Sequence, residues 1–486
     1  MDLTELLVGE AAQSLRAGDV TAESYAEALL ARADANRDLN AFITLDRQRV
    51  LAAGREADAK RARGAELGAL HGVPLVLKDN IETVGLPTSG GTPALRHHNS
   101  GRTAPVAQAL IDAGAIVLGK TNMHELAFGI TNNNEAFGAA RNPYDRNMIP
   151  GGSSGGSGVA VAARLAPGGL GTDTGGSVRI PAALCGIVGF RPSMGRYSQE
   201  GIVPISHTRD TAGPMVRSVA DAVLLDGVIT GGATALDPTA LKGLRLGVAR
   251  TPFFNNLDAA LDDVIENELS RLRDLGVVLM EFDAPEIAEL DTAAAFPIAL
   301  YETVTTLTAY LESSGLDLSF CELCQATTSP DVNSILVRLC GDNAVPEADY
   351  REALEQQRPA LQATIAGYLD EHQAAALILP TTPLPARPIG EDVTVEVNGA
   401  QVPIFPAYIR NTGPASVAGL PGLSIPIGLT ADGLPVGIEL DGRAGRDHEL
   451  LSLGLGYEAT LDTLPPPPLY ECCNRPRALP RRHQTA

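Results

Sequence analysis

The sequence predicts an α/β protein, one large layered domain around a mostly buried sheet. Two observations carry this. Short apolar runs of strand length alternate with helical patterns along the chain. The runs at 72–77, 115–118, 184–190 and 374–379 have no polar side chain, as expected of strands covered on both faces. The composition agrees: of 486 residues, 44% are hydrophobic and 20% charged, enough to bury a large core.

Taken in order, residues 3–60 read as helical, with Leu6, Leu7, Ala11, Ala12 and Leu15 at helical spacing. Thr21 is placed to cap a second helix rich in Ala and Leu. Residues 64–69 form a loop. Gly72-Val73-Pro74-Leu75-Val76-Leu77 is a buried strand that ends at Lys78-Asp79-Asn80. A helix at 104–113 and a strand at 115–118 follow. Residues 159–165 fit a helix beginning directly after a glycine-serine run, and 184–190 fit another buried strand. From 216 to 375 the pattern is mostly helical, with strands near 244–249 and 277–281. A strand at 374–379 stops at Pro380. Residues 384–412, rich in proline and polar side chains, read as loop. Strands at 423–427 and 436–440 pair as a hairpin around Asp432-Gly433, and 449–460 is the last helix. No repeat or linker divides the chain. The domain spans 1–464, and a Pro/Arg-rich tail over 465–486 is expected to be extended or disordered.

Charge and cysteines narrow the function. A formal net charge of −21 disfavours nucleic-acid and anionic-membrane partners, because phosphate binding relies on Lys and Arg. The acidic start Met1-Asp2-Leu3-Thr4-Glu5 lacks the basic and apolar regions of a signal peptide. No apolar run reaches the length of a membrane span, so a soluble, cytoplasmic protein is expected. The six cysteines are too few and too uneven for a secreted disulfide framework. Cys321-x-x-Cys324 has neither a second pair nor a histidine to complete a zinc set, and reads as two unbonded thiols on one helix. Hence no metal is expected.

The most informative stretch is Pro150-Gly151-Gly152-Ser153-Ser154-Gly155-Gly156-Ser157-Gly158, read with Gly171-Thr172-Asp173-Thr174-Gly175-Gly176-Ser177. Serines set in glycines can be presented to a substrate with bare N–H groups around them, as acyl transfer requires. Other readings fit less well. A phosphate loop needs Lys and then Ser or Thr after its second glycine, but Gly156 is followed by Ser157-Gly158. The three spaced glycines of a dinucleotide site are missing, and Gly-x-Ser-x-Gly is only partly matched. A flexible linker is disfavoured by Pro150 and Val159-Ala160-Val161-Ala162 on either side. A Ser-His-Asp site would draw on His124 first and His207 second, although for either one a hydrogen-bonding or pocket role is the better reading.

These residues resemble the signature block of the amidase signature family, from Gly151 through the Gly-Thr-Asp-Thr-Gly-Gly-Ser-Val-Arg-Ile-Pro-Ala-Ala run to Phe190. The lysine strand at 72–79, Gly119-Lys120-Thr121-Asn122-Met123-His124-Glu125, Leu379-Pro380-Thr381-Thr382-Pro383 and Gly419-Leu420-Pro421-Gly422-Leu423-Ser424-Ile425-Pro426 extend the resemblance over about 5–460. The signature core is about 70–215, and the least distinctive, helical part about 240–370. Within the family the chain is most similar in appearance to indoleacetamide and mandelamide hydrolases, through 127–134, 206–211 and Glu439-Leu440-Asp441-Gly442, where many members carry Gln in place of Glu439.

The resemblance implies a mixed central sheet covered by helices on both faces, and a serine hydrolase of small carboxylic amides. Aryl-acetamides are the preferred class, with esters, anilides and carbamates as further substrates. It implies Ser177 as acylating nucleophile, Ser153 as bridge and Lys78 as base, with a cis Gly152–Ser153 peptide. From the residues alone, Lys78 reads as a surface lysine paired with Asp79; the resemblance reverses that. The N–H groups of Thr174, Gly175, Gly176 and Ser177 are the oxyanion-hole candidates. Asp173 and Arg179 are read as charges orienting the loop. Ala127, Phe128, Ile130 and Thr131 are expected to line the acyl pocket, with Ile205 and His207 on another side. The chemistry calls for a small amide, water and no cofactor; a homodimer is left open. Two alternatives remain at this point. One is the glutaminase subunit of a tRNA-dependent amidotransferase, which shares the signature. The other is a binding or scaffold protein with a dead site, disfavoured by the retained Lys78, Ser153 and Ser177.

Overall fold

Local signals start the fold where the sequence puts them. Thr21 accepts a hydrogen bond from the Ser24 N–H and caps the helix Ala22–Ala35, and Gly18 ends Val8–Ala17 in the left-handed conformation. The computed structural model describes residues 2–341 and 344–469. The expected tail therefore lies mostly outside the described residues, as do Cys472 and Cys473.

The strands are β1 Phe42–Thr44, β2 Pro74–Lys78, β3 Ile116–Thr121, β4 Gly168–Asp173, β5 Val188–Arg191, β6 Thr211–Val216, β7 Arg245–Ala249, β8 Val278–Phe282, β9 Ala376–Pro380, β10 Thr394–Val397, β11 Ala400–Pro403, β12 Gly422–Leu429 and β13 Pro435–Asp441. Eleven of them form one sheet in the order β1-β3-β2-β4-β6-β5-β12-β13-β9-β7-β8. The sheet is mixed. β2 runs parallel to β3 and β4, and β7 parallel to β8 and β9, while the strands between pair antiparallel. Every residue of β2, β4, β5, β6, β9 and β13 is buried, so the middle of the sheet is covered on both faces. Among the described residues no helix is long and apolar enough to cross a membrane.

Four stretches differ from the sequence expectation, each for a physical reason. Phe42–Thr44 is a strand inside the region read as helical, held by pairing with β3. The helix after the glycine-serine run begins inside it, at Gly155, where tertiary packing overrides glycine's poor helix propensity. Leu184 and Cys185 end the helix Arg179–Cys185, which Gly186 stops at φ +67°, and the strand starts only at Val188. A short apolar run cannot by itself tell a buried helix end from a strand. Finally, 384–412 is not all loop. Asn398 and Gly399, both at positive φ, turn a hairpin between β10 and β11, and Ile404–Ile409 is helical. Cys321 and Cys324 lie on the helix Phe320–Ala326 as free thiols.

The strand β4 was not foreseen, because Gly168-Gly169-Leu170-Gly171 has little strand propensity. Its glycines serve approach rather than packing. A Cβ at Gly169 would come 2.2 Å from the Val76 carbonyl oxygen of β2. Gly169→Ala is expected to cost roughly 1–3 kcal/mol by forcing the two strands apart. Gly367→Ala, exposed and mid-helix with open space around it, should gain roughly 0.5–1 kcal/mol. Thermal unfolding should show midpoints moving in opposite directions.

Candidate active site

Lys78 is the last residue of β2, and its side chain is fully buried. Its Nζ donates to Ser153 Oγ at 2.7 Å and to Thr172 Oγ1 at 2.8 Å. Thr172, on β4, also accepts from Asn80 Nδ2 at 3.0 Å. Burial strips the ammonium of water and pulls the Lys78 pKa down to about 7, against the opposing pull of Asp173 and Asp210. The expected partner of Lys78, Asp79, instead lies 3.6 Å from the buried Lys120 and accepts from Ser89 N at 2.9 Å. The surface-pair alternative for Lys78 is thereby removed.

Ser153 is buried and follows a cis peptide bond from Gly152. Its carbonyl accepts from the His124 N–H at 3.1 Å. The next residue, Ser154, donates its N–H to the Ser177 carbonyl at 3.2 Å and its hydroxyl to the Thr172 carbonyl at 3.1 Å. Lys78, Ser153 and the Ser177 backbone thus meet at the C-terminal ends of the parallel strands β2 and β4. The Ser177 hydroxyl has no hydrogen-bond partner among the described residues, and Ser177 is only half-buried whereas Ser153 and Lys78 are wholly buried.

The loop carrying Ser177 is fixed by charge. Asp173 Oδ1 accepts from the Gly176 N–H at 2.9 Å and Oδ2 from the Val178 N–H at 3.2 Å. The same carboxylate pairs with Arg179 at 3.1 Å and Arg191 at 2.9 Å. Burial would raise the Asp173 pKa, but the two guanidiniums outweigh it and hold the carboxyl well below the usual range. Arg179 also binds Glu439 and, at 2.6 Å, Ser416 Oγ. Burial pushes the Glu439 carboxyl well above its ordinary value, and nearby Asp441 adds to the push. This bears on the oxyanion set: the Gly176 N–H is committed to Asp173 and drops out as the loop stands. The N–H groups of Thr174, Gly175 and Ser177 have no acceptor among the described residues.

The expected pocket residues divide. Ala127 and Ile205 pack together with Met123 and against Phe128. Ile130 belongs to another cluster, with Ile149 and Ile180. Thr131 Oγ1 donates to Asp392 at 3.3 Å. His207 is 55% exposed, its Nδ1 3.5 Å from Glu302. None of the six lines the cavity of about 860 Å³ bordered by Asn133, Asp331 and the loop at 390–393. Segment 205–206 is nonetheless tied to the loop carrying Ser177, because Asp210 accepts from Thr174 Oγ1 at 2.6 Å and from the Ile205 N–H at 2.7 Å. The histidine first in line as a base is already engaged. His124 spends Nδ1 on the Asn132 N–H at 3.2 Å and lies 2.9 Å from Asp331 through Nε2. Sequence reasoning missed Thr172 and Arg191; a threonine one residue before Asp173, on a strand beside the lysine strand, was the signal for the first. Among the described residues no group of three or more His, Cys, Asp or Glu could hold a metal ion.

Comparison with known proteins follows the same lines. A family model described as Amidase matches residues 24–451. The chain is 44% identical over 450 residues to an indoleacetamide hydrolase of Agrobacterium vitis, covering 93% of this chain and 96% of that one. It is 42% identical over 482 residues to a mandelamide hydrolase of Pseudomonas putida, covering 96% and 93%. The solved native peptide amidase of Stenotrophomonas maltophilia superposes with a TM-score of 0.84 at 33% identity, covering 96% of this chain and 99% of that one.

The charge cluster yields a stability test. Arg179→Met would leave Asp173 and Glu439 buried without their shared cation, and is expected to cost roughly 3–5 kcal/mol. Glu439→Gln, which mimics the protonated form that burial favours, should cost clearly less. Urea unfolding of the two variants measures the difference.

Proposed function

Because the chain belongs to the amidase signature family and is an amide-hydrolysing enzyme, we propose that it cleaves small aryl-acetamide-type amides through an acyl-enzyme on Ser177. Ser153 is the proton relay and Lys78 the base. The observation that carries this is the 2.7 Å bond from a fully buried Lys78 to Ser153. A serine hydroxyl is a poor nucleophile at neutral pH and needs a base. A lysine with pKa about 7 is half neutral at that pH and can accept a proton.

In the proposed reaction Ser153 takes the proton of Ser177 Oγ as it passes its own to Lys78 Nζ, and Ser177 Oγ bonds to the amide carbon. The tetrahedral oxygen turns toward the N–H groups of Thr174, Gly175 and Ser177, which carry no competing acceptor. The proton returns through Ser153 to the leaving nitrogen, the C–N bond breaks and ammonia departs. Water then attacks the ester by the same relay and releases the carboxylate. The aryl-acetamide preference is supported by the likeness to the indoleacetamide and mandelamide hydrolases and by the apolar group of Met123, Ala127, Phe128 and Ile205. Esters, anilides and carbamates reach similar tetrahedral species and are proposed as further substrates.

Ser177→Ala and Lys78→Ala are expected to lower turnover of indole-3-acetamide and mandelamide by roughly a thousandfold or more while circular dichroism stays native. Turnover of Ser177→Ala near the wild-type rate would remove the assignment. The pH profile carries a sign. Neutral Lys78 is the active form, so log(kcat/KM) should rise with pH below about 7 and level off above it. A flat profile from pH 5 to 9 (roughly two units either side of that value) would exclude Lys78 as the base.

A further inference from the structure

We propose that His124 is a positioning residue for this site, an inference that rests on the acyl-enzyme reading above. Its imidazole, braced by Asp331, holds the loop 129–132 against the Gly152–Ser153 peptide and so sets Ser153 for its relay.

His124 is buried just beyond β3. Its Nδ1 accepts from the Asn132 N–H at 3.2 Å, which requires that nitrogen to be unprotonated and leaves the ring proton on Nε2. Nε2 lies 2.9 Å from Asp331 Oδ2, within ion-pair distance though not aligned for a hydrogen bond. The ring packs on Gly129, where a Cβ would come within 2.2–2.4 Å of ring atoms. The loop so held reaches Ser153 by two routes. Asn132 Oδ1 accepts from the Gly155 N–H at 3.0 Å, at the start of the helix that follows Ser153. Gly152 rests on the loop backbone: a Cβ there would meet the Ile130 carbonyl carbon at 2.9 Å and the Asn132 nitrogen at 3.1 Å. Asp331 is itself anchored. It lies in the first turn of the helix Pro330–Leu336, and the preceding Thr328 and Ser329 N–H groups donate to Glu125, Ser329 at 2.7 Å. Adjacent residues His124 and Glu125 therefore grip one helix end, and the imidazole transmits its position to the cis peptide. Nδ1 is taken by the Asn132 N–H and Nε2 sits beside Asp331, so the imidazole acts through Asn132 and not on the substrate.

The test uses the full-length chain, the second-order rate of Ser177 labelling by a fluorophosphonate, and kcat and KM for indole-3-acetamide. His124→Ala and His124→Gln are expected to slow labelling and kcat roughly 10- to 100-fold with KM within about twofold, the cost of a nucleophile relay displaced by a fraction of an ångström. His124→Asn, whose side-chain oxygen can stand where Nδ1 stands, should restore most of the rate. Asp331→Ala, on a part-exposed wall, should lose rate in the same direction by a smaller factor. Folded His124→Ala and Asp331→Ala proteins that label at the wild-type rate overturn the proposal. So does His124→Asn being no better than His124→Ala, since that leaves the Nδ1 acceptor without a role. If His124→Ala fails to fold, His124→Gln and Asp331→Ala decide by the same criterion. A wild-type protein that takes no label at Ser177 overturns the acyl-enzyme reading itself, and this inference with it; a labelled wild type with unaffected variants overturns the positioning role alone.

Discussion

The site depends on keeping one amine out of water. Lys78 ends a strand on which every side chain is buried, and two hydroxyls, from Ser153 and Thr172, are its close partners. Hydroxyls can donate as well as accept, so they serve the neutral amine as readily as the ammonium. A carboxylate in the same position would stabilise the charged form and disable the proposed base. The nearest acid in sequence, Asp79, is kept from doing so by Lys120, which is buried beside it and also donates to Thr88 Oγ1 at 3.0 Å. Two adjacent residues on one strand end thus have opposite fates because alternate side chains point to opposite faces.

Asp173 poses the same threat from the other side, and its field does pull the Lys78 pKa upward. Its charge, however, is shared among Arg179, Arg191 and two backbone N–H groups of the nucleophile loop. The two guanidiniums limit its reach toward the lysine, and the N–H bonds fix the loop in which Thr174, Gly175 and Ser177 keep their own N–H groups unspent. One carboxylate therefore both shapes the turn before Ser177 and has its charge held by arginines rather than by Lys78. Burying such a cluster is a weak source of stability, since each ion loses its hydration; geometry is its better-supported use here.

Much of this was legible. The lysine strand, the hairpin of β12 and β13 and the strands β7–β9 follow from apolar runs bounded by turn residues, and the glycine-serine run marked the site. What was missed has more than one cause. β4 and the helix from Gly155 are built on glycines selected for close backbone approach, which propensity reads as loop. The β10–β11 hairpin had an Asn-Gly turn in plain view but lay among prolines. For the site, residue types pointed to chemistry, while the pairing of Lys78 with Thr172 and of Lys120 with Asp79 needed the register of strands far apart in sequence. The proposed acyl wall was the least legible part, because Ala127, Phe128 and Ile205 look like ordinary core in sequence and are separated by loops.

That difficulty has a structural origin. Leu126 and Ala127 hold left-handed backbone at φ 49° and 64°, a conformation that costs non-glycine residues roughly 1–3 kcal/mol each. Neighbours impose it. Leu126 donates its N–H to the Gly90 carbonyl at 2.8 Å, and Leu126 and Phe128 pack with Leu307, Tyr310 and Phe320. Those partners come from the helices Pro285–Ser313 and Phe320–Ala326, the stretch with the least distinctive sequence. The proposed proton relay, by contrast, is drawn from β2, β4 and the loops at their ends. The proposed base and the proposed acyl wall thus rest on different parts of the chain. Substitutions in the helical segment can therefore reshape the packing around Phe128 without changing the solvation of Lys78, so the proposed wall and the proposed base can vary independently.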